Sequence, residues 1–219
     1  MLLVEHHQPS RSLGQTLPAL GAQFLHRQPQ SLHLRRFRQY PLAYPDSQYM
    51  NDLWVYSLES LEWKQLLTEG DIPDKRSNAT LNHDPVNNQL LLFGGGGPNK
   101  QRYNTVSSLD LSTMNWIEIA PFQTDPAPWE RTYHVAEFKY PFLIVFGGES
   151  ADDLGDLWIY DVRNLSWEEA RIGDTKPCPR RFHASCTVGN KMYVMGGCHG
   201  KYNCLGDLYC LDLQPLLET

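Results

Sequence analysis

Long hydrophobic runs are missing: nothing in the 219 residues approaches the ~18 consecutive apolar residues that a bilayer span requires. A secretory core is missing too, since "MLLVEHH" turns polar after Val4. Together these absences point to a cytosolic or nuclear home. In such a compartment Cys178, Cys186, Cys198, Cys204 and Cys210 are free thiols, and their odd number agrees with that. The sequons at Asn78 and Asn164 are then chance matches. Long helical patterns are also scarce, and 16 Gly with 15 Pro suit many turns instead.

The body of the chain is short of basic charge. The net charge of −6 divides into about +4 over residues 1–45 and −10 over the remainder. An acidic body lacks the basic footprint of a general nucleic-acid binder, so no nucleic-acid partner is expected. Residues 1–45 carry Arg11, Arg27, Arg35, Arg36 and Arg38 against a single acid, Glu5, with prolines at 9, 18, 29, 41 and 45 and no steady period. The prolines interrupt any amphipathic helix, so a disordered basic segment is expected there rather than a transit peptide.

What is present is a repeat. Gly94-Gly95, Gly147-Gly148 and Gly196-Gly197 each end an apolar stretch, at intervals of 53 and 49 residues. Trp63, Trp116 and Trp167 recur at 53 and 51, and Asp52, Thr105, Asp156 and Asp207 at 53, 51 and 51. Three independent markers share one period of about 50. Between Arg131 and Trp167 one period reads as four strands. "TYHVAEF" is strand a and "PFLIVFGG" strand b, whose continuous apolar run fits burial on both faces. "DLWIYDV" is strand c and "SWEEA" strand d, with turn residues between them. Short turns joining successive strands make one antiparallel four-stranded sheet per period.

These markers resemble the kelch-repeat family of β-propellers. The matching residues are the glycine pairs, the strand-c aromatics Trp54, Trp158 and Tyr209, and the strand-d residues Trp63, Trp116 and Trp167. The resemblance implies an all-β fold in which the glycines let neighbouring groups crowd together near the axis. The strand count predicts a partial propeller. Partial blades cover 46–70 and 178–219, and complete blades about 71–122 and 123–172. Counting back 53 residues from Gly94 reaches Pro41-Leu42, where there is no glycine pair, and no strand-d Trp follows Leu213. The chain therefore reads as a piece of a longer protein forming an open arc. At best, the first c,d pair would meet the final a,b,c strands in a composite blade. Propellers typically hold 4–8 blades.

Candidate site residues lie where loops meet the axial mouth. Alignment of "PDKRSNAT", "PWERTYHV" and "CPRRFHAS" places Lys75, Arg131 and Arg180 in one column, followed by Arg76, Thr132 and Arg181. Asn78, His134 and His183 form another column, and Tyr133 and Phe182 accompany them. By the resemblance, the loop into strand a opens on one mouth of the channel. Lys75, Arg76, Arg131, Arg180, Arg181, Tyr133 and Phe182 are thus expected to contact a partner, with Arg reading carboxylates of acidic peptide segments. The competing reading is that the Arg column pairs with acids of the neighbouring blade and the His column caps turns. The b–c loops (96–104, 149–155 and 198–206) differ in length and charge, as specificity loops do.

No cofactor and no metal are expected. Cys186, Cys198, His199 and Cys204 match no common zinc spacing. Kelch-like specifier proteins bind iron through Glu-x3-Asp-x3-His; Glu149 and Asp153 fit, but Leu157 stands where His is needed. "GGGGPNK" lacks the spacing of a phosphate loop. The expectation is a non-enzymatic protein-interaction module, possessing the recognition or scaffold role seen in assemblies such as cullin ubiquitin ligases. The alternatives are a propeller enzyme of the sialic-acid epimerase or copper oxidase kind, and a truncated form with no independent function.

Overall fold

Leu143, Ile144, Val145 and Phe146 are all buried, though adjacent residues of a strand face opposite ways. A strand apolar on both faces must sit in a sheet covered on both sides, and that requirement organises the molecule. The computed structural model describes residues 4–7, 30–34, 49–119, 126–173, 175–201 and 203–218.

The first sheet contains β2 (Gln30–Leu34), β3 (Leu53–Ser57) and β4 (Glu62–Leu66), in that order. The second is a meander of β6 (Thr80–Asp84), β7 (Gln89–Phe93), β8 (Val106–Asp110) and β9 (Asn115–Ile119), all antiparallel. A fifth strand, β5 (Glu69–Gly70), runs parallel along the outer edge of β9. The third sheet runs β10 (Val135–Lys139), β11 (Phe142–Glu149), β12 (Asp153–Asp161) and β13 (Ser166–Glu169). The fourth orders β1 (Val4–His7), β18 (Leu208–Asp212), β15 (Lys191–Met195) and β14 (Ala184–Val188). A small hairpin, β16 (Cys198–His199) with β17 (Asn203–Cys204), projects from it, and a short helix, α1 (Gln214–Leu217), follows. This is the all-β, partial propeller with two complete blades that the strand signals imply.

The two partial sheets are completed differently from expectation. β2 pairs with β3 in the place of a strand b, and β1 pairs with β18 in the place of a strand d. The last blade thus receives its outer strand from the N-terminal segment, not from a composite with β3 and β4. Expected disorder over residues 1–45 meets these two strands; the rest of that segment lies outside the described residues. An unpaired strand edge is a row of free N–H and C=O groups, so even sequence with no period can be drawn into pairing there.

The core lies between sheets. Leu91, Phe93 and Val106 of the second sheet pack with Ala136, Leu143, Val145, Trp158, Tyr160 and Trp167 of the third. The opposite face of the third sheet packs Phe142, Ile144, Phe146, Leu157 and Ile159 on Met192, Val194, Leu211 and Leu213. Leu53 meets Leu90, Leu92, Leu109 and Trp116. Burial of this kind stabilises by roughly 1.5–3 kcal/mol per large side chain.

Trp167 meets Phe93 with ring centroids 5.0 Å apart, so the strand-d tryptophan packs against the preceding blade rather than the following one. The position of each tryptophan in the stack then decides its exposure. Trp116 and Trp167 are buried, whereas Trp63, on the first sheet, is 53 % exposed. At the other end Val188 and Met195 are exposed as well.

Candidate functional site

Strand a of the second, third and fourth sheets is preceded by an arginine whose side chain folds back into the sheet. Arg131 donates Nε–H to the Trp129 carbonyl at 3.0 Å and Nη1–H to the Gly147 carbonyl at 3.1 Å. Arg180 repeats this with Cys178 and Gly196, and Arg76 with Asp74 and Gly94. The structural column is therefore Arg76, Arg131 and Arg180. Lys75, aligned there from sequence, precedes it and is exposed.

The remaining donors of Arg131 fork onto Asp156, Nη1 to Oδ1 and Nη2 to Oδ2, both at 2.8 Å. Arg180 forks onto Asp207 at 2.7 and 2.9 Å. Both guanidiniums are fully buried. A partner cannot reach Arg131 or Arg180, so they are corrected from contact residues to anchors of the fold. The acids belong to the same blade, not the neighbouring one. Asp156 also accepts from Trp158 Nε1 at 2.7 Å, which links the repeating Asp to the strand-c aromatic. Burial opposes the Asp156 charge, but the Arg131 bonds and charge outweigh it and hold the carboxyl below its usual range. For Arg180, burial likewise opposes the charge, and Asp207 outweighs it, holding the group above its usual value.

Thr105 takes the acid's place in the second sheet. Arg76 instead lies over the Tyr103 ring, 3.9 Å from its centroid, and burial lowers its pKa. In the first sheet Asp52 accepts from Trp54 Nε1 at 2.6 Å, while its Oδ1 is buried with no hydrogen-bond partner among the described residues.

The glycine pairs follow from this packing. A Cβ on Gly147 would lie 2.9 Å from both the Arg180 carbonyl oxygen and His183 Cε1 of the next blade. One on Gly148 would lie 2.7 Å from the Thr132 oxygen of its own blade. Both glycines have positive φ, and Gly148 N–H donates across the blade boundary to the Arg180 carbonyl at 2.9 Å. At Gly94 and Gly147, the first of their pairs, the crowding groups are thus the Arg carbonyl and His ring of the next blade. His134 and His183 stand edge-on to Phe93 and Phe146, at 5.3 and 5.5 Å. His183 donates Nε2–H to the Phe146 carbonyl at 3.2 Å, and His134 shares a hydrogen bond with Thr80 Oγ1 at 3.1 Å. Burial keeps both rings neutral, pulling His183 down to about 4. They tie blades together rather than cap turns, and the residue sharing their position is Ala79, not Asn78.

Asn78 shares its place with Tyr133 and Phe182. All three are left-handed, with φ of 55°, 58° and 59°. For a residue with a side chain this costs on the order of 1–3 kcal/mol, and such strain concentrates at functional sites. The Tyr133 and Phe182 rings touch, with centroids 4.1 Å apart, and Phe182 is 46 % exposed. Arg181 lies beside the Phe182 ring at 5.7 Å. Its guanidinium binds Glu149 and Asp153, and Glu149 also binds Arg102 at 2.7 Å. The Glu149–Asp153 pair thus holds an arginine, and Leu157 is core.

The three b–c loops border these residues through bridges from Ser77 to Gly96, Thr132 to Glu149 and Arg181 to Cys198. Strand-a leaders and b–c loops therefore form one rim. Sequence reasoning did not find Arg102 or Glu149 as rim partners, because their pairing crosses blades. Among the described residues no group of three or more His, Cys, Asp or Glu side chains is arranged to hold a metal. No helix among them is long and apolar enough to cross a membrane.

Comparison with known proteins gives the same assignment. The KLHDC2/KLHL20/DRC7 Kelch-repeats domain family matches residues 43–216. Adagio protein 3 of Arabidopsis thaliana is 32% identical over 163 residues, covering 72% of this chain and 26% of that protein. Host cell factor 1 of Homo sapiens is 30% identical over 199 residues, covering 77% of this chain and 10% of that protein. Acyl-CoA-binding domain-containing protein 4 of Arabidopsis thaliana is 34% identical over 146 residues, covering 65% and 21%. The chain spans about a quarter or less of these relatives' length. With the family's match running through both complete blades and both partial ones, the chain belongs to the kelch-repeat family.

Proposed function

We propose that the chain is a non-enzymatic protein-binding module whose contact surface is the rim carrying Tyr133, Phe182, Arg181 and Lys75; Arg76, buried against Tyr103, belongs with the anchors. The observation that carries this reading is the Tyr133–Phe182 pair, strained in backbone, in ring contact, and partly exposed beside a charged side chain. Aromatic and Arg side chains supply most of the energy at protein interfaces. The left-handed turn recurs in three blades, and at Phe182 it holds an aromatic ring half in water beside Arg181.

Acidic segments are the ligand class we propose. A partner carboxylate would exchange with Glu149 on the Arg181 guanidinium while its backbone lies across the rings. That exchange favours peptides carrying an acid next to an apolar residue. A recognition role within a larger assembly, such as a cullin ubiquitin ligase in the cytosol or nucleus, is the fuller form of this proposal.

The test is selection from a random peptide display library on the purified chain. Enrichment of acidic–apolar peptides is expected, with retention lost in Phe182→Ala and Arg181→Ala and weakened by salt. Absence of any enriched class, or equal retention by both variants, overturns the reading.

A further inference from the structure

The structure assigns a reversible redox site to Cys198 and Cys204, which form an intramolecular disulfide when a small-molecule disulfide such as oxidised glutathione is supplied. The two residues face each other across the β16–β17 hairpin, and their sulfurs are already 3.4 Å apart. Both backbone groups of Cys198 point away from Cys204: its N–H donates to the Arg181 carbonyl at 2.8 Å, and its carbonyl accepts from Arg181 N–H at 3.0 Å. Leu205 N–H donates to the Gly197 carbonyl at 2.8 Å, in the neighbouring pair. Cys198 and Cys204 are therefore a pair not hydrogen-bonded to each other. In antiparallel strands this is the closer kind, with Cα atoms about 4.5 Å apart. That falls within the ~4.4–6.8 Å a disulfide accepts, so the S–S bond forms by side-chain rotation.

The hairpin is held from outside. Gly200 N–H donates to Asp153 Oδ2, Arg181 Nη2–H to the Gly200 carbonyl at 3.1 Å, and His199 Nδ1–H to the Pro179 carbonyl at 2.7 Å. This keeps the sulfurs opposed in the reduced form. The other cysteines sit elsewhere: Cys178 beside Arg180, Cys186 on β14 and Cys210 buried on β18.

Cys204 is exposed and Cys198 half-buried, with burial and the neighbouring sulfur pushing the Cys198 thiol up. Cys204 is accordingly the attacking group. Its thiolate displaces one glutathione thiolate from oxidised glutathione and forms a mixed disulfide. The Cys198 thiolate then attacks the Cys204 sulfur and expels the second glutathione. Two electrons pass from the protein dithiol to glutathione, and the two protons end on the two released thiols. The product cross-links the loop that Arg181 grips, but its formation does not depend on any partner.

The 219-residue chain is equilibrated in oxidised glutathione under native conditions, trapped in acid, alkylated, digested with trypsin and weighed. Peptides 192–201 and 202–219 are expected as one linked species, lighter than their sum by two hydrogens and separated by reduced glutathione. The link is expected to persist in Cys210→Ser and to vanish in Cys204→Ser. Alkylation of both Cys198 and Cys204 in the oxidised sample overturns the assignment. So does a link that survives Cys204→Ser or is lost in Cys210→Ser.

Discussion

Arg131 and Asp156 meet in a two-bond fork with both contacts at 2.8 Å, and the guanidinium has no exposed surface. Removing one member of a buried pair strands the other charge and costs about 3–5 kcal/mol. Asp156→Ala is expected to lose that much, since Trp158 Nε1 also loses its acceptor. The urea midpoint of the purified chain reads the loss. A change below about 1 kcal/mol, the range of exposed pairs, would contradict the anchoring role.

Arg76 offers the converse. It has the burial of Arg131 and Arg180 without their acid, because Thr105 stands in the repeating Asp position. Thr105→Asp is expected to raise stability by about 1.5–3 kcal/mol, as a hydrogen bond between charged groups would. An unchanged or lowered midpoint counts against the equivalence of the three arginines.

Position in the stack predicts the cost of losing each tryptophan. Trp167→Ala removes a ring wedged between Phe93 and Tyr160, and large aromatic truncations in a core cost about 3–5 kcal/mol. Trp63→Ala, at 53 % exposure, is expected to stay within about 1 kcal/mol. Similar losses at the two sites would mean that Trp63 is covered by something further.

Stability should fall with mild acid through His183. Its folded pKa, about 4, lies below the unfolded value near 6.5, so above that value both states are neutral and nothing is lost. Between pH ~6.5 and ~4 the unfolded chain binds a proton that the folded chain refuses, weakening the fold by up to about 3 kcal/mol. The depressed Asp156 acts later, below its usual range near 3.8, where its protonation removes the Arg131 pair. Glu137 acts oppositely: burial raises it, so acid relieves its charge. Comparing the pH slope of His183→Gln with that of the parent isolates the histidine. Equal slopes from pH 6.5 to 4 would rule it out.

Much of this was readable in the chain because the repeat markers are packing residues. Gly147, Trp167 and Asp156 each satisfy a constraint that recurs once per blade, so their spacing survives in the sequence. Burial of Leu143 to Phe146 on both faces was legible for the same reason. The Arg column slipped by one because Lys75-Arg76 and Arg180-Arg181 each offer two basic residues, and only the backbone hydrogen bonds select one. β1 and β2 left no signal, since edge pairing asks for backbone groups and little of the side chains. The Glu149–Arg181 contact and the Cys198–Cys204 opposition arise from loop register and cross-blade geometry, to which period-counting is blind.

The central claim is a division of labour: Arg131 holds the fold, while Phe182, two positions past the equivalent Arg180, meets the partner. The direct measurement sets Arg131→Ala beside Phe182→Ala, scoring urea midpoint and retention of the selected acidic peptides together. Arg131→Ala is expected to drop the midpoint as a lost buried pair does, whereas Phe182→Ala keeps the midpoint and loses the peptides. A stable Arg131→Ala, or a Phe182→Ala variant that still holds the peptides, would contradict the account.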